Sequence, residues 1–377
     1  MALFAIETAD CWAEIDLSAL RRNYRTVRDF VGGLPLVAMI KSNAYGHGMV
    51  EIGKTLEEEG ARVLGVGSVD EGASLRQAGI KCDLLLTTFY RSSELDGLFE
   101  NQIQPAVGSL AEAKTLSAHA EKIGKTLAIQ IKINTGMNRY GFPWEGAVDE
   151  ITKLVKLPRL EVKGLFSVFT EDHEFDPIQL ERFNNIVSAL KDNNIDVGLK
   201  HIASSGSVLT SPEAYHDAIR PGILLCGLYP SLEAWRERKI EVTPILSLKT
   251  QLVAIKTIKA GESMGYRRSF KVEQDACIGT ILAGRQMGMA AECNNSSHVL
   301  IRGKRCSLAG GVGQRMSQVN LGPPASLSAE IGDEVVIVGS QGSETIQMHE
   351  ISETTGSSVY DLSTRLSHSL ERRFQES

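Results

Sequence analysis

The stretch LVAMI, residues 36–40, opens the series of short apolar runs that decides the fold. The series continues with VLGVG (63–67), DLLLTTF (83–89), QPAV (104–107), LAIQIKIN (127–134), VKGLFSVF (162–169), GLKHIAS (198–204) and AIRPGILLCGL (218–228). Longer stretches with helical spacing lie between them. Because most of the runs are apolar on both faces, they are typical of parallel strands covered by helices. Eight such strand-helix units predict a TIM barrel, an α/β fold.

The pattern changes after the barrel runs. ILSLKTQLVAIKTI (245–258), CIGTILAG (277–284), HVLIRGKRCSLAG (298–310) and EVVIVGS (334–340) are alternating or continuous β runs separated by turn residues. We therefore expect residues 15–238 to form the barrel and residues 239–377 to form an all-β carboxyl-terminal domain. Residues 1–14 are predicted to hold an amino-terminal strand that joins the β domain, because the segment WAEIDLSAL begins there.

Composition excludes several classes of protein. The 377 residues are 42% apolar and 23% charged, with a net charge of −6 and a pI near 5.8, so nothing suggests a nucleic-acid partner. No apolar stretch reaches the roughly 18 residues that a membrane span needs, and the amino terminus lacks a signal-like pattern. The six cysteines are widely spaced without zinc-ligand motifs. We expect a cytoplasmic protein with free thiols and no metal.

The predicted chemistry lies where barrel strands end, since active sites of this fold stand at the carboxyl ends of the strands. LVAMI runs directly into Lys41, and a barrel-mouth lysine forms a Schiff base once its pKa is lowered. KHIASSGS (200–207) and IRPG (219–222) supply small residues and backbone N–H groups that suit a phosphate. Alternatively, Lys41 is an ordinary solvated lysine, and the Ser and Gly residues only form turns.

Five motifs in order carry a family resemblance: MIKSNAYGHG (39–48), INTGMNRYG (133–141), KHIASSGS (200–207), RPGILLCG (220–227) and GESMGY (261–266). The chain resembles the bacterial alanine racemases, which implies a barrel that binds pyridoxal 5'-phosphate (PLP) and is followed by a β domain. The implied activity converts L-alanine to D-alanine, or acts on serine or another small polar amino acid.

The resemblance implies a role for each matched residue. Lys41 would bind the PLP aldehyde. The residues that would hold the phosphate are Tyr45, Ser205, Gly222, Ile223 and Tyr360. Arg220 would face the pyridine nitrogen, supported by His201, and Arg139 would contact the substrate carboxylate. Lys132 matches a lysine that is often carbamylated in the family, although Lys132 and Arg139 are alternatively exposed barrel-mouth charges.

Racemisation requires an acid or base on each face of the α-carbon. Lys41 would serve one face, and the resemblance places Tyr266 on the other, supplied across a homodimer interface. Met264 would match the position of this second base only if two residues had been inserted into the segment.

The chain departs from the family pattern around the substrate. Val168 precedes Phe169 where a histidine is usual, and Arg285 replaces an entrance tyrosine. Gln314 and Arg315 stand in the Met and Asp places of a substrate-binding segment, and the usual Arg-Val-Pro-Arg ending is missing. The added arginines favour a more polar or anionic substrate, or else they pair with nearby acids and the substrate is alanine.

Two other functions share parts of this pattern. Related PLP-dependent decarboxylases have the same architecture, but their catalytic cysteine motif is not evident after Cys306. A non-catalytic PLP-binding regulatory protein would resemble a lone barrel, and the predicted β domain argues against it.

Overall fold

Strands and helices alternate through the first part of the chain. The computed structural model describes residues 11–324, 326, 328–366 and 368–376. The strands are β1 (Cys11–Asp16), β2 (Val37–Met39), β3 (Val63–Val66), β4 (Asp83–Leu86), β5 (Ile103–Val107), β6 (Leu127–Asn134), β7 (Phe142–Pro143), β8 (Leu160–Phe166), β9 (Leu199–His201), β10 (Leu246–Ile258), β11 (Ser263–Met264), β12 (Phe270–Lys271), β13 (Ala276–Ile281), β14 (His298–Ile301), β15 (Lys304–Ser307), β16 (Ser317–Asn320), β17 (Glu334–Gln341), β18 (Glu344–Ile346) and β19 (Glu371–Gln375). The helical segments are α1 (Leu17–Phe30), α2 (Lys41–Tyr45), α3 (Met49–Glu58), α4 (Val69–Gln77), α5 (Leu95–Glu100), α6 (Leu110–Ile123), α7 (Ala147–Leu154), α8 (Asp176–Asp192), α9 (Ser207–Thr210), α10 (Leu232–Glu237), α11 (Met348–Thr355) and α12 (Val359–Thr364).

The first sheet closes into a barrel. Its strands lie in the order β2-β3-β4-β5-β6-β8-β9, all parallel. The last predicted run closes the gap, because it bridges Leu36 to Ile219 on one side and Ser204 to Arg220 on the other. The Val37 N–H donates to the Ile219 carbonyl across this seam at 2.8 Å. The predicted TIM barrel is confirmed.

Helix ends of the barrel follow local capping rules. Ser68 caps α4 by accepting a hydrogen bond from the Glu71 N–H, and Gly79, with φ of 91°, follows the helix. Ser109 caps α6 in the same way by accepting from the Glu112 N–H. These caps place α4 and α6 directly after strands, so their first turns border the carboxyl end of the barrel.

The second sheet is built around the long strand β10. It pairs antiparallel with β1, β13 and β17, and the sheet order is β15-β14-β17-β10-β1-β19. The segment Cys11–Asp16 therefore belongs to this sheet although it precedes the barrel. Residues 1–10 of the predicted amino-terminal segment lie outside the described residues, and the domain boundaries at 14 and 238 stay predictions.

Two helices, α11 and α12, extend the predicted all-β domain. The fold class stands, but the carboxyl-terminal domain is mostly β rather than wholly β. The sequence analysis missed these helices because MHEISETT and VYDLST are short and largely polar. They matter for the site, since α12 packs on α2 and brings the Tyr360 ring to 5.9 Å from that of Tyr45, measured between centroids.

Among the described residues, no helix is long and apolar enough to cross a membrane. The two domains are joined by direct contacts, such as the hydrogen bond of 2.9 Å from Arg372 Nε to the Gly46 carbonyl. The six cysteines are all free thiols.

Candidate active site

A cavity of about 550 Å³ opens at the carboxyl end of the barrel. It is lined by Met39, Lys41, Tyr45, Thr87, Thr88, Phe89, Lys132, Met137, Arg139, Tyr140, Phe166, Val168, Phe169, Thr170, Glu171, Ser204, Ser205, Arg220, Gly222 and Tyr360. Most of the residues predicted from the barrel half therefore meet in one place. Its lining includes four cationic side chains and one carboxylate, Glu171, and this excess of positive charge suits an anionic ligand.

Lys41 is followed by a left-handed turn. Ser42, Asn43, Ala44 and Tyr45 all have φ between 52° and 56°, a conformation that costs a non-glycine residue about 1–2 kcal/mol. Glu71 offsets this strain with both carboxylate oxygens. Its Oε1 accepts from the Asn43 N–H at 3.0 Å, and its Oε2 accepts from the Gly67 N–H at 2.7 Å. The lysine therefore leaves the strand on a backbone that tertiary contacts hold in place.

The cations of the cavity lower one another's pKa. Burial, then Arg139 and Arg220, lowers the pKa of Lys41. Burial and the same neighbours lower the pKa of Lys132 to about 8. A larger fraction of each amine is then neutral near pH 7 than in water, which is the form that attacks a carbonyl or accepts a proton.

Arg220 is anchored by four donated hydrogen bonds. Its Nη1 donates to Nδ1 and to the carbonyl of His201, at 2.8 and 3.0 Å, and its Nη2 donates to the carbonyls of Ser167 and Ile202, at 2.7 and 3.2 Å. Within the described residues, only its Nε–H lacks a protein acceptor. Burial lowers the pKa of Arg220 to about 10, so it stays charged at neutral pH.

A buried chain of side chains fixes the protonation of His201. Its Nδ1 accepts from Arg220, so its Nε2 carries the hydrogen and donates to Gln130 Oε1 at 2.8 Å. Gln130 Nε2 then donates to Gln104 Oε1 at 3.0 Å. Burial and Arg220 hold the pKa of His201 well below its usual value, which agrees with a neutral ring stacked on Phe166.

Two tyrosines and a backbone turn form a cradle opposite Lys41. Ser205 Oγ accepts from the Gly222 N–H at 2.9 Å. A Cβ on Gly222 would lie 2.3 Å from Tyr45 Oη, so only glycine leaves room for that hydroxyl. Burial raises the pKa of Tyr45 and of Tyr360, and both phenols remain donors. Ile223, also predicted here, is fully buried beneath the cradle.

Apart from Tyr360, the predicted residues of the β domain do not line this cavity in their own chain. Tyr266 is 93% exposed, whereas Met264 pairs with Phe270 and packs against a small apolar cluster. Arg285, Gln314 and Arg315 are exposed on neighbouring loops. The Arg285 N–H donates to the Gly313 carbonyl at 2.9 Å. The loops of Arg285 and of Gln314 and Arg315 therefore lie side by side, and neither these residues nor Tyr266 line the cavity that holds Lys41.

Sequence reasoning overlooked several residues of the site. Gln104 and Gln130 each interrupt an apolar strand, and a buried polar residue in such a strand requires a partner, which was a usable signal. The role of Glu71 could not be inferred from the sequence, which indicated only that this residue lies in a helix cap. Glu171, at the cavity rim, lay in a loop without a recognisable motif. Val168 lines the cavity where the family pattern has histidine.

Comparisons with known proteins cover both halves of the chain. Residues 15–230 match the family described as "Alanine racemase, N-terminal domain", and residues 245–374 match "Alanine racemase, C-terminal domain". An alanine racemase of Clostridium novyi is 33% identical over 366 residues, which cover 96% of this chain and 94% of that protein. One from Carboxydothermus hydrogenoformans is 34% identical over 365 residues, covering 96% and 98%. A solved alanine racemase of Clostridium difficile 630 superimposes with a TM-score of 0.91 at 27% identity, over 98% and 96% of the chains.

Proposed function

Because the chain belongs to the alanine racemase family, we propose that it interconverts L-alanine and D-alanine by exchanging the proton on the α-carbon. The family is PLP-dependent, and its members act on a small amino acid. The observation that carries the proposal is the meeting of Lys41, Arg220 and the Ser205–Gly222 cradle in one cavity. The comparisons support neither the decarboxylase nor the regulatory alternative.

The cavity residues fit PLP. Tyr45, Ser205, Tyr360 and the backbone of Gly222 and Ile223 would hold the phosphate. Gly222 leaves room for the Tyr45 hydroxyl, and its N–H positions the Ser205 hydroxyl by donating to it, so the cradle brings hydroxyl donors together. Lys41 would bind the aldehyde through its amine. When bound, PLP supplies an electron sink that acidifies the α-hydrogen of an amino acid.

Arg220 would face the pyridine nitrogen through its free Nε–H. An arginine cannot take up a further proton and has only donors, so it leaves that nitrogen unprotonated. The His201–Gln130–Gln104 chain holds Arg220 in this orientation. A weaker electron sink favours quick return of the proton to the α-carbon over side reactions.

Two bases would handle the proton. The neutral Lys41 Nζ would remove it from one face of the α-carbon, and the protonated amine would return it to that face. Arg139 would hold the substrate carboxylate. Tyr266 Oη would serve the opposite face from a second copy of the chain, which makes the working form a homodimer. Its 93% exposure and its absence from its own cavity support this arrangement.

Arg285, Gln314 and Arg315 would approach the substrate on the same surface as Tyr266. The proposed substrate is alanine, and the arginines leave serine or another small polar amino acid as the second candidate. The proposed compartment is the cytoplasm, supported by six free thiols.

The first experiment follows the chirality of a panel of L-amino acids incubated with the purified protein and PLP. We expect alanine to racemise, and Tyr266→Phe, which removes a single hydroxyl, to lower kcat by at least about a hundredfold. Lack of turnover for every amino acid of the panel by PLP-loaded protein would refute the proposal.

A mixing experiment tests the shared site. Lys41→Ala and Tyr266→Ala chains, each inactive alone, should regain up to about a quarter of the wild-type activity when refolded together, because each mixed dimer holds one intact site. Mixed dimers without activity would refute the assignment of Tyr266 to the partner's site.

A further inference from the structure

The rim of the barrel cavity carries a carboxylate without a cationic partner. Glu171 follows the strand β8 and lines the cavity together with Tyr360. Among the described residues, its carboxylate has no ion pair or donor. Burial and repulsion by Asp176 raise the pKa of Glu171, as expected for a carboxylate that no cation stabilises. Its backbone is left-handed, with φ of 63°.

The surface around Tyr266 carries the opposite charge. The Arg285 loop donates a hydrogen bond to Gly313, and a Cβ on Gly265 would lie 3.9 Å from Gly310, so both loops pack on residues 309–316. Arg267, Arg268, Arg285 and Arg315 are all exposed on these loops. This surface has basic side chains beside the tyrosine that has to enter a second copy's cavity.

We propose that Arg285 of each chain forms an ion pair with Glu171 of the second copy at the mouth of the shared site. This inference rests on the proposed dimeric function, because it requires Tyr266 to enter the cavity whose rim carries Glu171. The pair closes the rim on two sides, forms twice in a two-fold symmetric dimer, and favours correct pairing of the two subunits.

Arg285 fits this role better than its neighbours. Arg268 Nε already donates to Ser263 Oγ, and Arg315 has an interaction within its own chain. Arg267 directly follows Tyr266 in a left-handed conformation, with φ of 59°, and serves as the matched comparison. In the part of the chain that the structure describes, the Arg285 side chain has neither a hydrogen bond nor an ion pair.

The test exchanges the charges between two chains. Glu171→Arg and Arg285→Glu chains with different affinity tags are co-expressed, and native mass spectrometry measures homodimers and heterodimers. Each homodimer then brings like charges together twice, whereas the heterodimer restores an opposite pair at both sites. We expect the heterodimer ratio, [AB]²/([AA][BB]), to exceed random pairing by at least about tenfold.

The matched control pairs Glu171→Arg with Arg267→Glu, which should assemble at random. Random assembly of the first pair, or equal enrichment in the control, overturns the proposal. If either single variant fails to fold, the double variant Glu171→Arg/Arg285→Glu is compared by sedimentation velocity with Glu171→Arg/Arg267→Glu. The variant with Arg285→Glu should dimerise at least about tenfold more tightly than the variant with Arg267→Glu. Equal dissociation constants of the two dimers would overturn the proposed ion pair.

The activity and the oligomeric state of the wild-type protein distinguish the proposed function from the proposed ion pair. Wild-type protein that racemises alanine while the charge-swapped chains pair at random refutes only the ion pair. Wild-type dimers that do not racemise any amino acid, with enriched heterodimers in the swap, refute the proposed function and leave the pair standing. A wild type that sediments as a monomer overturns both.

Discussion

The substitution Glu71→Gln should displace Lys41 although Lys41 itself is unchanged. Glu71 uses one carboxylate oxygen for the Asn43 N–H and the other for the Gly67 N–H, at 3.0 and 2.7 Å. A glutamine keeps a single acceptor oxygen and points its NH₂ at one of these two donors. The left-handed turn from Ser42 to Tyr45 then loses part of what holds it, because its backbone is intrinsically unfavourable.

The magnitude follows from the number of hydrogen bonds affected. A bond to a charged acceptor contributes about 1.5–3 kcal/mol, so losing one and neutralising the other should lower the free energy of unfolding by about 2–3 kcal/mol. Displacement of the lysine should also lower kcat/KM by at least about tenfold, since a shift of about 1 Å in a reacting group has effects of that size or more.

Glu112→Gln is the matched control. Glu112 occupies the equivalent cap of α6 and accepts from the Gly108 N–H and from Tyr140 Oη, but both bonds go to the same oxygen, Oε2. A glutamine can keep both, so its cost should stay near about 1 kcal/mol. Urea denaturation with an unchanged m-value measures the free energy of unfolding of both variants. Equal loss of stability in the two, or full kcat/KM in Glu71→Gln, would refute the argument.

Three further predictions concern the same cavity. Gly222→Ala, whose Cβ would lie 2.3 Å from Tyr45 Oη, should weaken PLP binding at least about tenfold in a fluorescence titration, and unchanged affinity would contradict the cradle. Gln130→Leu, which leaves the buried Nε2–H of His201 unpaired, should cost about 1–3 kcal/mol in urea unfolding, and a neutral effect would contradict the chain. Lys132 has a folded pKa lowered to about 8 from 10.5, so the unfolded state binds more protons between these values and stability rises with pH there. In PLP-free protein and bicarbonate-free buffer, Lys132→Met should flatten that rise, and an unchanged slope would contradict the shift.

Local patterns were sufficient to predict the barrel, whereas the cofactor roles of its residues came from the family resemblance and stay predictions. Seven of the eight apolar runs matched a strand, and the eighth closes the barrel by isolated bridges at Ile219 and Arg220. Parallel strands end at the same side, so Lys41, Ser205 and Arg220 had to converge once the barrel closed. The left-handed turn after Lys41 was not predictable, because SNAY contains no glycine and its conformation depends on Glu71, which lies beyond another strand. Helices α11 and α12 were missed for a related reason, since their stability comes mainly from packing.

The residues proposed to contact the substrate from the β domain could not be located at the site from the structure of one chain. Tyr266 and Arg285 lie outside the cavity of their own chain, and only the proposed dimer would bring them to Lys41 of a second copy. The usable signal was chemical, because a racemase needs a base on the face opposite Lys41 and an exposed tyrosine beside arginines is poorly explained by packing.

The departures from the family pattern fall on both sides of the proposed interface. Val168 lines the barrel cavity, whereas Arg285, Gln314 and Arg315 are exposed on loops of the β domain. Residues that meet across one interface couple energetically, so the effect of changing one depends on the state of the others. Restoring a histidine at Val168 alone, for example, would change the barrel side of the cavity while Arg285, Gln314 and Arg315 stayed as they are. These four positions should therefore be exchanged together when substrate choice is tested, and single replacements should have smaller effects than the combined exchange.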